Sequence, residues 1–84
     1  MEDLETKTVT FRRGFKRGDE WVKSVTMREA TADDSIIAQK RAKSPGESEK
    51  MLFASLCECT PEELGALSMA DWGKLQEAYS DFFD

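Results

Sequence analysis

The chain has 84 residues, of which 39% are hydrophobic and 35% charged, with no histidine and a formal net charge of −5. This length allows one small domain, and no apolar run approaches the roughly 20 residues that a membrane-spanning helix needs. Without histidine the commonest general base near neutral pH is missing, and the scattered glycines form neither a phosphate loop nor a dinucleotide fingerprint. The composition therefore predicts a protein that is not an enzyme and needs no cofactor.

Two alternating segments near the N-terminus predict a β-hairpin. Residues 8–11 and 21–27 alternate apolar and polar side chains, with Lys23 interrupting the apolar face of the second segment, and are rich in β-branched and aromatic types, which is typical of strands. The polar segment 16–20 contains glycine and predicts the turn between them. In this arrangement Trp21, Val25 and Met27 share the apolar face. Because an isolated hairpin is unstable in water, helices must cover that face.

Helix starts follow, each marked by a hydroxyl side chain. Thr31 precedes a helix expected to run to about Ala42, and Ser44, followed directly by proline, starts the next. Thr60 and Ser68 each stand three residues before an acidic side chain, so either pair can form a capping box. Their close spacing predicts a very short helix followed directly by a longer one.

The expected organisation is a single α+β domain, residues 1–84. Residues 1–7 are expected to be disordered, residues 8–29 to form the antiparallel hairpin, and residues 31–83 to form three or four helices packed on it. The expected core consists of Val9, Phe11, Trp21, Val25, Met27, Ile37, Leu52, Phe53, Leu56, Leu64, Leu67, Trp72 and Leu75. Cys57 and Cys59 are expected to be reduced core or boundary residues. A disulfide at this spacing is strained, and two cysteines without histidine do not make a usual zinc site.

Charge is unevenly distributed along the chain. Residues 1–50 carry 11 basic and 10 acidic side chains, whereas residues 51–84 carry 1 basic and 7 acidic side chains. The acidic half repels phosphate backbones and suits a cationic or apolar protein partner, although a solvated helix face explains it equally well. Residues 1–5 lack the basic and apolar regions of a signal peptide, which predicts a cytoplasmic location.

The last helix supplies the candidate partner-binding residues. Trp72, Leu75, Tyr79, Phe82 and Phe83 recur at helical spacing and form one apolar stripe. For Trp72 and Leu75 a place in the core is favoured. Phe82 and Phe83 can either close the core or form an exposed patch of the kind that marks contact surfaces.

The hairpin mixes basic and aromatic side chains: Arg12, Arg13, Lys16, Arg17, Lys23 and Arg28 beside Phe11, Phe15 and Trp21. Such a mixture can contact phosphates and stack bases, but it also describes a charged strand edge that blocks unwanted pairing. The acidic last helix would repel a nucleic-acid groove. A small regulatory or nucleic-acid-binding module is therefore the alternative function.

The order of these segments resembles the Mu-like family of bacteriophage tail assembly chaperones, over about residues 9–76. Residues 28–31, Arg-Glu-Ala-Thr, keep three of the four residues of that family's turn, with Ala30 where proline is usual. Residues 60–64 read Thr-Pro-Glu-Glu-Leu, and residues 67–76 supply the pattern Leu-Ser-x-x-Asp-aromatic-x-x-Leu-Gln. Residues 57–59, Cys-Glu-Cys, replace the usual Thr-Gly-Leu.

This resemblance implies a chaperone that binds the tape measure protein, keeps it soluble and helps recruit tail tube protein. It also implies a location in the bacterial host cytoplasm and absence from the finished virion. Several copies per client, and self-association, would fit a long repetitive client. A longer frameshifted form occurs in many tailed phages.

Overall fold

The computed structural model describes residues 4–83 and confirms the α+β class. Within these residues two strands, β1 (Thr6–Arg17) and β2 (Glu20–Arg28), precede four helices, α1 (Ala32–Arg41), α2 (Pro45–Cys57), α3 (Pro61–Gly65) and α4 (Met69–Asp81). The strands pair as an antiparallel two-stranded sheet. Helices α2, α3 and α4 contact the sheet, and α1 packs on α2. The expectations for residues 1–3 and 84 lie outside the described residues.

The hairpin is longer, and its turn shorter, than the alternation predicts. Thr6 and Lys7, expected in a disordered N-terminus, pair with the end of β2, so the prediction was wrong at these two positions. The backbone N–H of Glu29 also donates to the carbonyl oxygen of Glu5 at 2.8 Å, which continues the ladder. Strand pairing is made by backbone groups, so the polar composition of this segment did not reveal it.

A bulge in β1 changes which side chains face the core. Thr10 pairs with Ser24 and Phe15 with Val22, so the four residues 11–14 of β1 lie opposite one residue of β2. Gly14, in this bulge, has a φ of +83°, a conformation that glycine adopts without the steric penalty of a side chain. Beyond the bulge Phe15 is buried in the core, although the sequence did not place it there.

The bulge in β1 also explains why the predicted core position of Trp21 was wrong. Val22 and Val25, three residues apart, both pack against the core, so the strict alternation of β2 breaks between them. Trp21 is 46% exposed, whereas the sequence analysis placed it in the core. A pattern with period two cannot reveal a register shift that is imposed by the partner strand.

Most of the predicted core is confirmed: Val9, Phe11, Met27, Leu52, Phe53, Leu56, Leu64 and Leu75 are buried. Val25, Leu67 and Trp72 are partly buried against them. The prediction for Ile37 was wrong, since this side chain is 51% exposed. Helix α1 buries the neighbouring Ala38 instead, and a small side chain there allows close packing against α2.

The helix caps follow the predicted chemistry with one exception. Thr60 and Glu63 form a complete capping box at α3, and an equivalent box starts α1. At α4 the Ser68 hydroxyl accepts the backbone N–H of Asp71 at 3.2 Å, as predicted. The Asp71 carboxylate binds the hairpin rather than returning to the Ser68 N–H, so the second half of that predicted box was wrong.

Removing a cap should measurably lower stability. Thr60→Ala and Ser68→Ala are each expected to lower the free energy of unfolding by about 0.5–2 kcal/mol, because a helix N–H loses its acceptor. Urea unfolding followed by circular dichroism measures both. Ser80→Ala, at an exposed position inside α4, is the control and should leave stability nearly unchanged. If all three variants unfold at the same urea concentration, the hydroxyl groups of Thr60 and Ser68 do not stabilise the helix starts.

Candidate functional site

Helix α4 lies against β1, and side chains on a second side of this helix contact α2. Asp71 and Leu75, one turn apart, are fully buried. On the side toward α2, the Gln76 amide donates to the carboxylate of Glu49 at 3.2 Å. Trp72, one turn before Gln76, lies on this side too. The buried residues Asp71 and Leu75 therefore hold α4 against β1. The side of α4 next to α2 carries Trp72 and Gln76.

Four rings form what we call the aromatic row: Trp72, Phe53, Tyr79 and Phe83. The centroid of Phe53 lies 5.2 Å from that of Trp72 and 5.2 Å from that of Tyr79. Tyr79 meets Phe83 edge-on, also at 5.2 Å. Tilted and edge-on contacts of this kind are favourable beyond the area that they bury. Since Phe53 is fully buried and Phe83 is 72% exposed, the row leads from the core to the surface.

The structure separates the five candidate residues of the apolar stripe. Leu75 is fully buried and belongs to the core, so it drops out of any contact surface. Trp72, Tyr79 and Phe82 are partly buried against that core, and Phe83 is exposed. The ammonium group of Lys7 lies 5.1 Å from the centroid of the Phe82 ring, which covers Phe82 from the hairpin side.

A groove at the start of α4 extends this surface in a way that the sequence analysis missed. Leu64, Leu67, Met69 and Trp72 supply its apolar lining, Lys50 lies at its side, and its volume is about 400 Å³. Met69 is 81% exposed. It stands at the first helical position, one residue after the cap and outside the apolar stripe. The apolar side chain at this first helical position was the feature of the sequence that could have revealed the groove.

The buried carboxylate of Asp71 fixes the position of α4 on the hairpin. It accepts three consecutive backbone N–H groups of the β1 bulge: Arg12 at 2.7 Å, Arg13 at 3.0 Å and Gly14 at 3.0 Å. Burial by itself raises the pKa of Asp71, but these bonds and Lys74 outweigh it and lower the pKa to about 2. The carboxylate thus satisfies the groups that the bulge removes from the ladder.

Two further carboxylates at helix starts bind arginines of the hairpin. Arg28 contacts both oxygens of Asp34, at 2.7 and 3.0 Å, and this holds the pKa of Asp34 well below its usual range. Arg17 contacts both oxygens of Glu63, at 2.8 and 3.0 Å, and with the Thr60 N–H it lowers the pKa of Glu63 to about 2. Two of the six basic side chains in the predicted cluster therefore stabilise the fold.

These three carboxylates predict acid sensitivity. Each has a lower pKa in the folded state than in the unfolded chain, so the unfolded chain binds more protons as the pH falls. Stability should be complete above about pH 5 and fall progressively toward pH 2. Urea midpoints measured across this range test it. Glu77→Gln, which alters an exposed carboxylate of α4, should keep the wild-type profile, and a flat wild-type profile would contradict the prediction.

The remaining basic side chains surround the exposed Trp21. The guanidinium of Arg13 and the ammonium of Lys16 lie 5.5 and 5.6 Å from the centroid of its ring. Arg12 and Lys23 line the same shallow depression, which has a volume of about 320 Å³. Within residues 4–83 none of these four cations makes an ion pair. We call this surface the Trp21 patch.

Both cysteines of the chain are free thiols. Cys57 is buried and free, and burial, assisted by the neighbouring Cys59, raises the pKa of its thiol to about 12. The Cys59 thiol is also free and donates to the Cys57 carbonyl oxygen at 3.4 Å. Among residues 4–83 there is no cluster of three or more histidine, cysteine or acidic side chains placed to hold a metal ion. No helix in this part of the chain is long and apolar enough to cross a membrane.

A row of aromatic rings that leads from the core to an exposed phenylalanine, beside an apolar groove, suits a small protein-binding domain. Comparison with known proteins identifies the family. Residues 8–84 match the family model described as phage tail assembly chaperone proteins, E, or 41 or 14. The chain therefore belongs to the phage tail assembly chaperones, which confirms the resemblance noted in its sequence. No curated protein and no solved structure matches it.

Proposed function

We propose that this protein binds the tape measure protein and keeps it soluble while the phage tail assembles. It acts in the bacterial host cytoplasm, catalyses no reaction, assists addition of the tail tube protein and is absent from the finished virion. Membership of the chaperone family supports this proposal. The single structural observation behind it is the aromatic row, which continues into the groove beside Met69.

An amphipathic helix is the kind of client that this surface fits. Helix α4 has 13 residues and is about 20 Å long, enough for several turns of a client helix to lie alongside. Apolar anchors of such a helix would contact the groove and Phe83, where methionine and phenylalanine offer adaptable and rigid apolar area. Burial of apolar area contributes roughly 25 cal/mol per Å², so client binding should weaken only modestly with salt.

Co-expression with the tape measure protein tests the proposal. Wild-type protein should keep the client in the soluble fraction and be captured with it. The double variant Met69→Ser/Phe83→Ala should lose most of this effect, because both side chains are highly exposed and contribute little to the core. The matched control is Arg12→Glu/Lys23→Glu in the Trp21 patch. Arg17 is left unchanged because its ion pair with Glu63 belongs to the fold.

The alternative function rests on the Trp21 patch. Four cations around an exposed indole can bind nucleic acid by phosphate contacts and base stacking. In that case the control variant would lose function, the Met69/Phe83 variant would keep it, and binding would fall steeply with salt. This result would show that the hairpin, rather than α4, carries the binding surface.

A further inference from the structure

One side of α4 continues the groove beside Met69 along the whole length of the helix. Met69, Gly73, Gln76 and Ser80 recur at helical spacing and share this side. Met69, Gln76 and Ser80 are exposed, and nothing lies within 4 Å of the position that a Cβ atom of Gly73 would occupy. Phe83 stands at the far end of the same side, just after the helix. We call the surface formed by these five residues the α4 face.

The α4 face has a large apolar side chain at each end. Met69 is 81% exposed and Phe83 is 72% exposed. They are about 14 positions apart in the chain, which corresponds to about 21 Å at the helical rise. A helix that lies alongside and contacts both ends therefore needs about four turns, with its own apolar anchors about two heptads apart. The open space over Gly73 leaves room for a further apolar side chain between these anchors.

Carboxylates flank the α4 face on both sides. Glu77 and Asp81 are exposed, and each directly follows a residue of the face, so they form its edge on the side away from α2. Glu47 and Glu49 line the groove on the side of α2. Within residues 4–83 none of these four carboxylates makes an ion pair, and Lys50 is the one cation in the groove lining. The surface around the apolar anchors is therefore negative, which favours an occupant that carries cations.

The positions of Glu77 and Asp81 are unfavourable for α4 itself. The two carboxylates are one turn apart on the same helix and repel each other. The last turn contains no basic residue, so the negative end of the helix dipole is increased rather than offset. Lys74 lies 3.9 Å from a carboxylate oxygen of the buried Asp71, on the hairpin side of the helix. Charges that oppose the stability of their own helix are typical of residues that serve a contact with a partner.

We infer that the α4 face selects a cationic amphipathic helix. This helix is about four turns long, has apolar anchors about two heptads apart for the groove and for Phe83, and carries lysine or arginine beside that apolar stripe. Its cations lie against Glu77 and Asp81 on one side and against Glu47 and Glu49 on the other. As a statement about the client, the inference rests on the proposed function, and it adds the charge and the spacing by which a client segment is recognised.

Binding of labelled helical peptides to the purified full chain, measured by fluorescence anisotropy, tests this selectivity. The lysine peptide has leucine anchors at the stated spacing and lysine at the flanking positions, and the glutamate peptide has glutamate at those positions. A scrambled peptide has the composition of the lysine peptide, with its leucines distributed around the helix. Each exposed ion pair contributes little, but several attractions against several repulsions should make the lysine peptide bind about tenfold more tightly than the glutamate peptide. High salt should reduce this difference, and the scrambled peptide should bind weakly at any salt concentration.

Charge reversal on the protein locates the preference. Glu77→Lys/Asp81→Lys should lower the ratio of the two affinities by about tenfold, and it should unfold at no lower a urea concentration than wild type, because cations suit the end of a helix. Asp19→Lys/Glu20→Lys is the matched control, since it makes the same change of net charge at two exposed positions of the hairpin turn. This control should keep the wild-type preference.

The peptide experiment and the co-expression experiment fail separately. Equal binding of the lysine and glutamate peptides to wild type, or the same loss of preference in both charge variants, would overturn the inference. The proposed function would still stand if wild type kept the tape measure protein soluble. A tape measure protein that stays insoluble would contradict the proposed function, whereas a preference for the lysine peptide that depends on Glu77 and Asp81 would still assign the α4 face to a cationic helix of another protein.

Discussion

Replacing Asp71 with alanine is expected to lower the free energy of unfolding by about 3–5 kcal/mol, the largest effect of any single carboxylate within residues 4–83. Three backbone N–H groups of the β1 bulge would lose their common acceptor. The Gly14 N–H is buried and the other two are partly buried, and a donor left without a partner away from water is costly. Small domains have little stability to lose, so the variant should be largely unfolded at moderate urea concentration. Urea titration followed by far-ultraviolet circular dichroism measures this.

A conservative substitution separates charge from size at this position. Asp71→Asn keeps one acceptor oxygen but turns an NH₂ group toward the bulge donors, so it should also destabilise, by about 1.5–3 kcal/mol. Asp81→Asn is the matched control, since Asp81 is an exposed aspartate on the same helix. If Asp71→Asn and Asp81→Asn unfold at the same urea concentration, the Asp71 carboxylate does not hold α4 on the hairpin.

Gly14→Ala is the second substitution with a large expected effect, about 3 kcal/mol or more of lost stability. A Cβ atom at this position would lie 2.0 Å from the carbonyl oxygen of Val22, and φ is +83°. The obstacle is backbone of the paired strand, which cannot move aside without breaking the sheet. Thermal melting and urea unfolding should both show the loss.

Gly18→Ala supplies the comparison for this prediction. Gly18 also has a positive φ, +66°, but nothing lies within 4 Å of the position that its Cβ would occupy. The variant should lose only about 1 kcal/mol, from the left-handed conformation offset by a less flexible unfolded chain. Equal losses at the two glycines would show that conformation alone, rather than contact with Val22, limits residue 14.

The bulge also matters for the candidate site. Asp71 precedes Trp72 and Tyr79 in α4, and Phe83 follows two residues after this helix ends; the bonds of Asp71 to residues 12–14 set the position of α4 on the sheet. A shift of α4 would separate Trp72 and Tyr79 from Phe53, on which both rings pack. The aromatic row therefore depends on a contact between residues far apart in the chain.

Local chemistry allowed much of the fold to be predicted from the sequence. Hydroxyl caps and prolines marked where the helices begin, since the groups that satisfy a helix start are neighbours in the chain. Alternation and helical spacing identified the hairpin and most of the core. The order of these segments was also enough to indicate the chaperone family.

Only the tertiary structure decided where side chains on the element surfaces lie. Trp21 and Ile37 were assigned to the core from their type and spacing, but the β1 bulge and the close packing through Ala38 left both of them exposed. Asp71 matched a capping residue in sequence, yet its carboxylate binds donors more than fifty residues away. Contacts of this kind depend on how helices and strands pack against one another. Residue type and spacing describe one helix or strand at a time, so they cannot determine which side chains of different elements meet.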